Sequence, residues 1–362
     1  MLYWLLVPLI DEFFLFNLVR YITVRTAAAG ITALVLSFLL GPRLIRHLER
    51  KQIGQEIRAD GPQSHLAKKG TPSMGGVLII ICTVVPTLLW GKLDNLYVWV
   101  ALVSMVLFGL IGLVDDVLKV RRKRSLGLRP GQKIALQVGL ATAVGLVFIW
   151  MGSTGRFSLV LSFPFVKTWL LDLGWFYLPW IVFILVGSSN AVNLADGLDG
   201  LAIGLTLISA TALTALTYVA GHANWSLYLN IFRVPLAAEL TVFVGALAGA
   251  CLGFLWFNCH PAQVFMGDVG ALSLGGTLAV IALLIKQEFL LFAVAGVFIL
   301  EALSVLLQVS YFKLSRGKRI FKMAPLHHHF ELSGWPEERV VIRFWILGII
   351  FALFSLSTLK LR

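Results

Sequence analysis

Apolar residues occur along this chain in long blocks that are separated by shorter polar segments. The blocks are roughly 15 to 20 residues long, which is the length that crosses the hydrocarbon core of a membrane as a helix. We therefore predict an all-α, polytopic integral membrane protein with about ten transmembrane helices. The helices are expected at 22–41, 74–90, 97–114, 134–151, 174–188, 201–220, 239–257, 270–285, 289–312 and 340–359. The fifth and eighth are short and interrupted by glycine, so nine or eleven helices would also fit the pattern.

Composition and charge support this class and give the helices an orientation. Hydrophobic residues make up 59% of the 362 residues and charged residues only 13%, which excludes an ordinary soluble globular protein. Segments 43–73, 115–133 and 313–343 each contain seven Lys or Arg residues, together 21 of the 30 in the chain. By the positive-inside rule these segments face the cytoplasm, and an even number of helices places both termini in the periplasm.

The polar motifs lie together on the predicted cytoplasmic side. We expect a single transmembrane catalytic domain, 1–362, with cytoplasmic loops at about 43–73, 115–133, 189–200, 258–269 and 313–339. These loops contain the motifs GPQSHLAKKGTPSMGG, LVDDVLK, SSNAVNLADGLDGLA, NCHPAQVFMGDVGAL and MAPLHHHFELSGWPE. Their common side of the membrane indicates one functional site. No internal repeat is evident in the sequence, which argues against a transporter built from duplicated halves.

Two other classes of feature are not expected. The three cysteines, Cys82, Cys251 and Cys259, have no CxxC spacing, so neither a disulfide framework nor a cysteine metal site is implied. The first residues, MLYWLLVPLIDEFFLF, lack a basic leader and a small-residue cleavage site, so they do not resemble a signal peptide.

Five aspartates are concentrated where apolar blocks meet the cytoplasmic side. Carboxylates at membrane depth cost several kcal/mol unless they are paired, solvated or bound to a cation. Oxygen ligands of this type suit Mg²⁺, which keeps water and substrate phosphates in its other positions. The alternative is that Asp115 and Asp116 only end a helix and pair with Lys119, Arg121 or Arg122. The five residues are Asp115, Asp116, Asp196, Asp199 and Asp268.

Spacing adds detail to these positions. Neighbours on a helix point about 100° apart, so Asp115 and Asp116 should have different roles at one site. Asp196 and Asp199 would share one face if they were helical, with Asn190 and Asn193 at the same spacing before them. Asp268 lies in a glycine-containing turn that could direct backbone N–H groups at a phosphate, although a plain connecting turn would also use these glycines.

Basic residues and histidines complete the set of candidate groups. Lys68 and Lys69 could bind a phosphate, or they could serve only as positive-inside signals. His327, His328 and His329 are consecutive, so they cannot all point the same way, and contacts to phosphate or sugar are a better interpretation than a zinc site.

Taken together, GTPSMGG, LVDDVLK, NAVNLADGLDGLA, FNCHPAQVFMGDVGAL and MAPLHHHFELSGWPE resemble the phospho-N-acetylmuramoyl-pentapeptide-transferase family over essentially the whole chain. The resemblance implies a multi-pass enzyme of the bacterial inner membrane with its active site on the cytoplasmic face. It implies transfer of phospho-MurNAc-pentapeptide from UDP-MurNAc-pentapeptide to undecaprenyl phosphate, with Mg²⁺, giving lipid I and UMP. Ser73 and Ala195 stand where the family commonly has threonine, and both changes leave the charged positions intact.

The same resemblance assigns expected roles to individual residues. Asp268 would be the Mg²⁺ ligand, Asp115 and Asp116 would lie beside the lipid phosphate and the scissile pyrophosphate, and Lys68 matches the family lysine better than Lys69. Phe265 would stack on uracil, and His327 would be the catalytic member of the histidine run. The remaining expected substrate-binding residues are Asn190, Asn193, Asp196, Asp199, Lys133, His328 and His329.

Several alternatives stay open at the level of sequence. An aspartate could deprotonate undecaprenyl phosphate for direct attack, which we favour, or could itself attack and form a covalent intermediate. The nearest rival function is a related UDP-N-acetylhexosamine:polyprenyl-phosphate transferase, from which PLHHHFELSGWPE is the chief distinguishing block. Membrane lipid is an expected partner and nucleic acid is not, and a homodimer is one candidate assembly.

Overall fold

The computed structural model describes residues 1–51, 70–122, 127–163 and 169–360, and this part of the chain is predominantly helical. Its α-helices, α1 to α14 in chain order, are Leu2–Leu6, Ile22–Arg50, Gly76–Trp90, Leu96–Arg122, Pro130–Ser153, Tyr177–Ala195, Leu201–Gly221, Ala223–Leu229, Ala237–Asn258, Gly267–Leu284, Glu288–Val294, Gly296–Leu314, Leu326–Glu331 and Glu337–Ser357. Short 3-10 helices cover Val7–Leu9, Phe14–Arg20, Gly174–Phe176 and Thr358–Lys360. Strands Val160–Ser162 (β1) and Leu170–Asp172 (β2) pair antiparallel, with Leu161 opposite Leu171.

The helices are long and apolar enough to make this a multi-pass membrane protein. Within the described ranges, nine helical segments reach the length and composition of a membrane span, and the 15-residue α3 is a further, shorter apolar helix. The all-α polytopic prediction is therefore confirmed, with a helix number close to the predicted ten.

Several helices extend beyond their apolar blocks. Helix α2 continues to Arg50, α4 to Arg122 and α6 to Ala195, so these helices include residues that the sequence pattern predicts to lie in loops. Hydropathy detects only the part of a helix that lies in lipid, whereas the hydrogen-bonded turns continue into the polar region. The predicted helix 289–312 is divided at Ala295 into α11 and α12.

Helix α10 lies at the centre of the bundle and brings the chemically important helix ends together. Every residue from Val269 to Leu284 is buried. Glycines on two neighbouring helices allow close backbone approach at its first turns. A Cβ atom added at Gly112 of α4 would overlap the backbone of Asp268, and one added at Gly76 of α3 would overlap Gly270.

The two ends of the bundle have different polar groups. One end carries Asp115, Asp116 and Asp268, and the opposite end has the buried ion pair Arg25–Glu239, with 2.6 Å between Nη1 and Oε2. The Met1 ammonium donates to Leu88 O at 2.8 Å at that opposite end. Lys360 also lies there, over the Tyr228 ring. Both ends of the described chain therefore lie at the face away from the aspartates; which face meets the cytoplasm stays a prediction.

Candidate active site

Three carboxylates from distant parts of the chain converge at one end of the bundle, and we call Asp115, Asp116 and Asp268 the carboxylate cluster. One oxygen atom from each lies within 4.8 Å of the others. Asp115 and Asp116 are buried on α4, and Asp268 is partly buried in the first turn of α10. The sequence prediction that these aspartates form one site is consistent with this geometry.

The turn that begins α10 needs glycine at residue 267. Gly267 has a φ of +71°, a left-handed conformation that disfavours side chains. A Cβ atom there would come within 2.5 Å of Asp116 Oδ2 and 3.0 Å of Ser73 Oγ. Asp116 Oδ2 accepts a hydrogen bond from Val269 N at 3.2 Å, so the start of α10 holds this carboxylate in place.

Two lysines neutralise most of the cluster's charge. The Lys119 ammonium lies 2.7 Å from Asp115 Oδ2, 3.2 Å from Asp116 Oδ1 and 3.0 Å from Asp268 Oδ2. Lys133 of α5 adds a 2.6 Å ion pair to Asp268 Oδ2. Lys119 therefore does pair with Asp115 and Asp116, as the alternative interpretation proposed. It also contacts Asp268, which comes from a different helix. The cluster is therefore more than a helix end.

Adjacent aspartates have different second partners, as helical geometry predicts. Asp115 Oδ1 accepts from Leu128 N at 2.8 Å, which connects it to the segment before α5. Asp116 instead contacts the start of α10 through Val269. Each keeps one oxygen toward Lys119, so the cluster presents hard oxygen ligands that are compatible with a divalent cation.

The end of α6 adds polar groups beside the cluster. Asn193 Nδ2 donates to Asp268 Oδ1 at 2.9 Å. Asp196, directly after α6, is partly buried, and burial together with the negative charges of Asp268 and Asp116 raises its pKa to about 8. Asn190 lies one turn earlier and donates to Gln137 Oε1 at 2.8 Å, so in this structure it links α6 to α5.

Asp199 faces a second group of side chains. Its carboxylate oxygen Oδ2 lies 3.1 Å from His260 Nδ1 and accepts from Ala262 N at 3.1 Å. Its own N–H donates to Glu337 Oε1 at 2.8 Å. Asp196 and Asp199 do not share a helix face, because they lie between the two helices: α6 ends at Ala195 and α7 begins at Leu201.

Backbone hydrogen bonds fasten the GTPSMGG motif to the segment before α10. Phe265 N donates to Pro72 O at 2.8 Å, and Gly75 N donates to Phe265 O at 2.9 Å. Phe265, the predicted uracil contact, is partly buried here, two residues before the Gly267 turn. Lys68 and Lys69 lie outside the described residues.

The three histidines lie on the short helix α13 and have different partners, which is consistent with the expectation that they cannot all point the same way. His327 is fully buried, with Nδ1 3.1 Å from Glu301 Oε2 of α12. His328 Nδ1 lies 2.7 Å from Glu331 Oε2, and His329 Nδ1 accepts from Lys322 N at 3.1 Å.

The second ring nitrogen of His327 points toward the turn between α6 and α7. A Cβ atom added at Gly197 would overlap His327 Nε2. That nitrogen has no hydrogen-bond partner among the described residues. His327 therefore adjoins the turn that follows Asp196, with one nitrogen held by Glu301 and the other without a protein partner.

Comparison with known proteins finds matches that include the residues of this site. Residues 98–286 match the model of glycosyl transferase family 4, and residues 68–80 match signature 1 of phospho-N-acetylmuramoyl-pentapeptide-transferase. Relatives called phospho-N-acetylmuramoyl-pentapeptide-transferase occur in Koribacter versatilis, 52% identical over 380 residues, and in Thermodesulfovibrio yellowstonii, 52% identical over 362 residues. Another, from Desulfatibacillum aliphaticivorans, is 55% identical over 365 residues. Each comparison covers 100% of this chain and 100% of the relative.

The chain belongs to the phospho-N-acetylmuramoyl-pentapeptide-transferase family. The resemblance predicted from five motifs is confirmed, and it extends over the full chain. In this family member the region 98–286 contains the whole carboxylate cluster, and the signature 68–80 contains Lys68 and runs into α3. All three relatives carry the muramoyl-pentapeptide name, which favours the first functional interpretation over the N-acetylhexosamine rival.

Some residues around the site were not identified from sequence. The sequence patterns predict Lys119 only as a helix-end partner, and none of them assigns a role to His260, Glu337, Gln137 or Glu301. Gln137 and Glu301 carried a usable signal, because polar side chains inside apolar blocks are costly without a partner. His260 and Glu337 lie within the quoted motifs FNCHPAQVF and SGWPE, but their pairing with Asp199 depends on the packing of three separate segments.

Proposed function

We propose that this family member transfers phospho-MurNAc-pentapeptide from UDP-MurNAc-pentapeptide to undecaprenyl phosphate, giving lipid I and UMP. The observation that carries the proposal is the convergence of Asp115, Asp116 and Asp268 with Lys119 and Lys133 at one end of the helix bundle. Phosphoryl transfer depends mainly on positioning and charge neutralisation, and these are the groups that supply both. The full-length relatives support the same choice of substrates by their names.

The donor set fits Mg²⁺ as the cofactor. Three carboxylates with oxygen atoms within 4.8 Å of one another are hard ligands, and Mg²⁺ usually takes one or two of them while keeping water and phosphate oxygens. In the proposal Asp268 is the main ligand, with Asp115 or Asp116 beside it. When bound, the cation would neutralise pyrophosphate charge as UMP leaves.

The chain's own residues position the two phosphate groups. Lys119 and Lys133, already directed at the cluster, would attract the anionic substrates and partly neutralise them. Asp115 and Asp116 are anchored through one oxygen each, by Leu128 N and Val269 N, so their other oxygens stay directed into the site. One of them would orient the acceptor phosphate and accept its remaining proton.

We favour direct attack by the acceptor. An oxygen of undecaprenyl phosphate attacks the phosphorus bonded to the sugar, a new P–O bond forms, the bond to the UMP phosphate breaks, and UMP leaves with the bonding electrons. A lipid monophosphate has a second pKa of about 6 by analogy with phosphorylated side chains, so it is largely ionised and needs little activation. Isolation of a phosphorylated Asp115 or Asp116 during turnover would contradict this order of events.

The proposed substrate contacts come from several segments of the chain. Asn190 and Asn193 belong to the end of α6, and Asp196 and Asp199 to the turn that follows. His327 would contact the phosphate or sugar through Nε2, and Phe265 would stack on uracil. His328, His329 and Lys68 are further proposed contacts, of which Lys68 lies outside the described residues.

The proposal includes a location. In this proposal the carboxylate cluster lies at the cytoplasmic face of the bacterial inner membrane and both termini lie in the periplasm, an orientation that the three basic segments support. The phosphate of undecaprenyl phosphate would then reach the cluster while its tail stays in lipid. A homodimer is the assembly that we propose to test alongside activity, by measuring the mass of the purified protein in detergent.

The test is a choice between two labelled donors. Purified protein, undecaprenyl phosphate and Mg²⁺ are incubated with radiolabelled UDP-MurNAc-pentapeptide or with radiolabelled UDP-GlcNAc, and the lipid product is extracted. We expect a labelled lipid from the first donor only, and its loss in EDTA. Product from UDP-GlcNAc without product from the first donor would instead support the N-acetylhexosamine transferase.

A further inference from the structure

A small basic cavity lies at the end of the bundle opposite to the carboxylate cluster. It has a volume of about 200 Å³, and its lining includes Arg156, Arg233, Lys286, Tyr97 and Phe157. Four helix ends build it: the first turn of α4, the segment after α5, the segment before α9 and the residue after α10's C-cap. None of the residues that line it is acidic.

The convergence of cations is unusual for this end of the protein. Only nine of the 30 Lys and Arg residues lie outside the three basic segments, and three of those nine line this one cavity. In the orientation that we propose, this end faces the periplasm, where the positive-inside rule disfavours cations, so a concentration of cations there calls for another explanation.

The lysine is held rigidly in the cavity wall. Lys286 is 1% exposed, and its ammonium donates to Tyr177 Oη at 2.7 Å and to Glu288 Oε1 at 2.9 Å. It also lies 4.8 Å from the centre of the Phe157 ring. Glu288 balances the charge of Lys286, so the net positive charge of the cavity comes from the two arginines.

Backbone hydrogen bonds fix the main chain at the two arginines, and the arginine side chains remain accessible to a ligand. Tyr97 Oη donates to Arg156 O at 3.0 Å, and Val234 N, next to Arg233, donates to Ala220 O at 2.9 Å. Both arginine side chains are exposed, and within the described part of the chain neither makes an ion pair or a hydrogen bond. Two guanidinium groups without carboxylate partners at the rim of a cavity can bind a tetrahedral oxyanion with paired N–H donors.

We propose that this basic cavity binds a phosphate group, presented either by a membrane-lipid headgroup or by free inorganic phosphate. Its volume accepts one such group, and the two arginines and the fixed lysine supply the complementary charge. The position favours an anion at the membrane surface, because the neighbouring exposed residues Trp99, Trp175 and Phe176 are of the type that lies at headgroup level. Binding would stabilise the ends of α6 and α10, since Tyr177 begins α6 and Lys286 follows α10.

The experiment compares wild type with Arg156→Gln/Arg233→Gln, and uses Arg20→Gln, an exposed cation on the same face outside the cavity, as the matched control. In one arm, the thermal unfolding midpoint of the protein in neutral detergent is measured at increasing concentrations of inorganic phosphate. Sodium chloride of equal ionic strength is the reference. In the other arm, native mass spectrometry counts phosphatidylglycerol molecules that the protein retains.

Binding in the first arm identifies free phosphate as a ligand, and binding only in the second identifies the lipid headgroup. In whichever arm the wild type binds, we expect the double variant to bind at least about tenfold more weakly, because it loses the hydrogen bonds from both guanidinium groups to the charged phosphate, while Arg20→Gln should bind like wild type. The proposal is overturned if the wild type binds in neither arm, or if the double variant and the wild type bind equally.

Discussion

The ammonium of Lys119 lies 3.0 Å from Asp268 Oδ2, at the place where α4 meets the first turn of α10. The same ammonium contacts Asp115 and Asp116, so one lysine joins all three carboxylates. Three carboxylates against the two ammonium groups of Lys119 and Lys133 leave the site short of positive charge when all are ionised. A divalent cation would supply that charge, and the following predictions depend on this balance.

Replacing Lys119 with Gln should make the protein more dependent on divalent cations. The variant leaves Asp115, Asp116 and Asp268 close together with only Lys133 to offset them, and unpaired buried charge is strongly destabilising. We expect a lower thermal unfolding midpoint than wild type in EDTA, and a larger rise when Mg²⁺ is added. An equal Mg²⁺ response in the two proteins would show that Lys119 does not compete with a cation at this cluster.

Glu301 should matter for turnover through His327. The Glu301 carboxylate is buried and lies 3.1 Å from His327 Nδ1, so it fixes the ring with Nε2 toward Gly197. Glu301→Ala should lower kcat by about 10- to 100-fold, as expected when a reacting group is misplaced by about an ångström. Glu301→Gln, which keeps an acceptor for Nδ1, should recover part of the loss.

The glutamate that pairs with the neighbouring histidine is a matched control for Glu301. Glu331 lies 2.7 Å from His328 in a similar pair, but His328 is not the histidine that adjoins Gly197. Glu331→Ala should therefore retain more activity than Glu301→Ala in the same lipid I assay. Equal losses in the two variants would remove the special role that we assign to His327.

The elevated pKa of Asp196 should appear in the pH dependence of stability. An acid whose folded-state pKa is raised to about 8 binds more protons when folded than when unfolded, so its contribution to stability falls as pH rises from about 4 toward 8. In EDTA, the unfolding midpoint of wild type should fall more between pH 6 and pH 8 than that of Asp196→Asn, which cannot titrate there. Parallel pH profiles would contradict the raised pKa.

Gly267 should tolerate no side chain without a loss of activity. Alanine at this position must adopt a φ near +71° and meets Asp116 Oδ2 at 2.5 Å, so Asp116 has to move. We expect Gly267→Ala to lower turnover by at least about tenfold, because transfer depends on carboxylate placement. The control is Gly139→Ala in α5, where a Cβ atom meets nothing within 4 Å; it should keep wild-type turnover. Normal turnover in Gly267→Ala would show that Asp116 placement is not critical.

The sequence predicted the membrane class well because long apolar blocks leave few structural alternatives. Helix ends were predicted less well, since Asn190 and Asn193 continue α6 past its apolar block and appeared to be loop residues. The break at Ala295 is not predicted because the residues on both sides are apolar, and hydropathy does not detect the end of one apolar helix and the start of the next.

The candidate site was predictable in its residue types but not in its pairings. Carboxylates at the ends of apolar blocks were evident, and Asp115, Asp116 and Asp268 do lie together. That Asp199 faces His260 and Glu337 depends on how the turn after α6 packs against the start of α14, which no local pattern encodes. Glu301 and His327 are partners from α12 and α13, a pairing that requires the fold itself.

The central claim is that Asp268, within the carboxylate cluster, supports metal-dependent transfer to undecaprenyl phosphate. The most direct test measures lipid I formation by wild type and Asp268→Asn at saturating UDP-MurNAc-pentapeptide and Mg²⁺, with Asp172→Asn, an exposed residue of β2, as the control. We predict that Asp268→Asn stays folded and loses at least about 100-fold in turnover, as expected for removal of a major electrostatic group, while Asp172→Asn retains wild-type turnover. Turnover by Asp268→Asn equal to that of wild type, with the same dependence on Mg²⁺, would contradict the account.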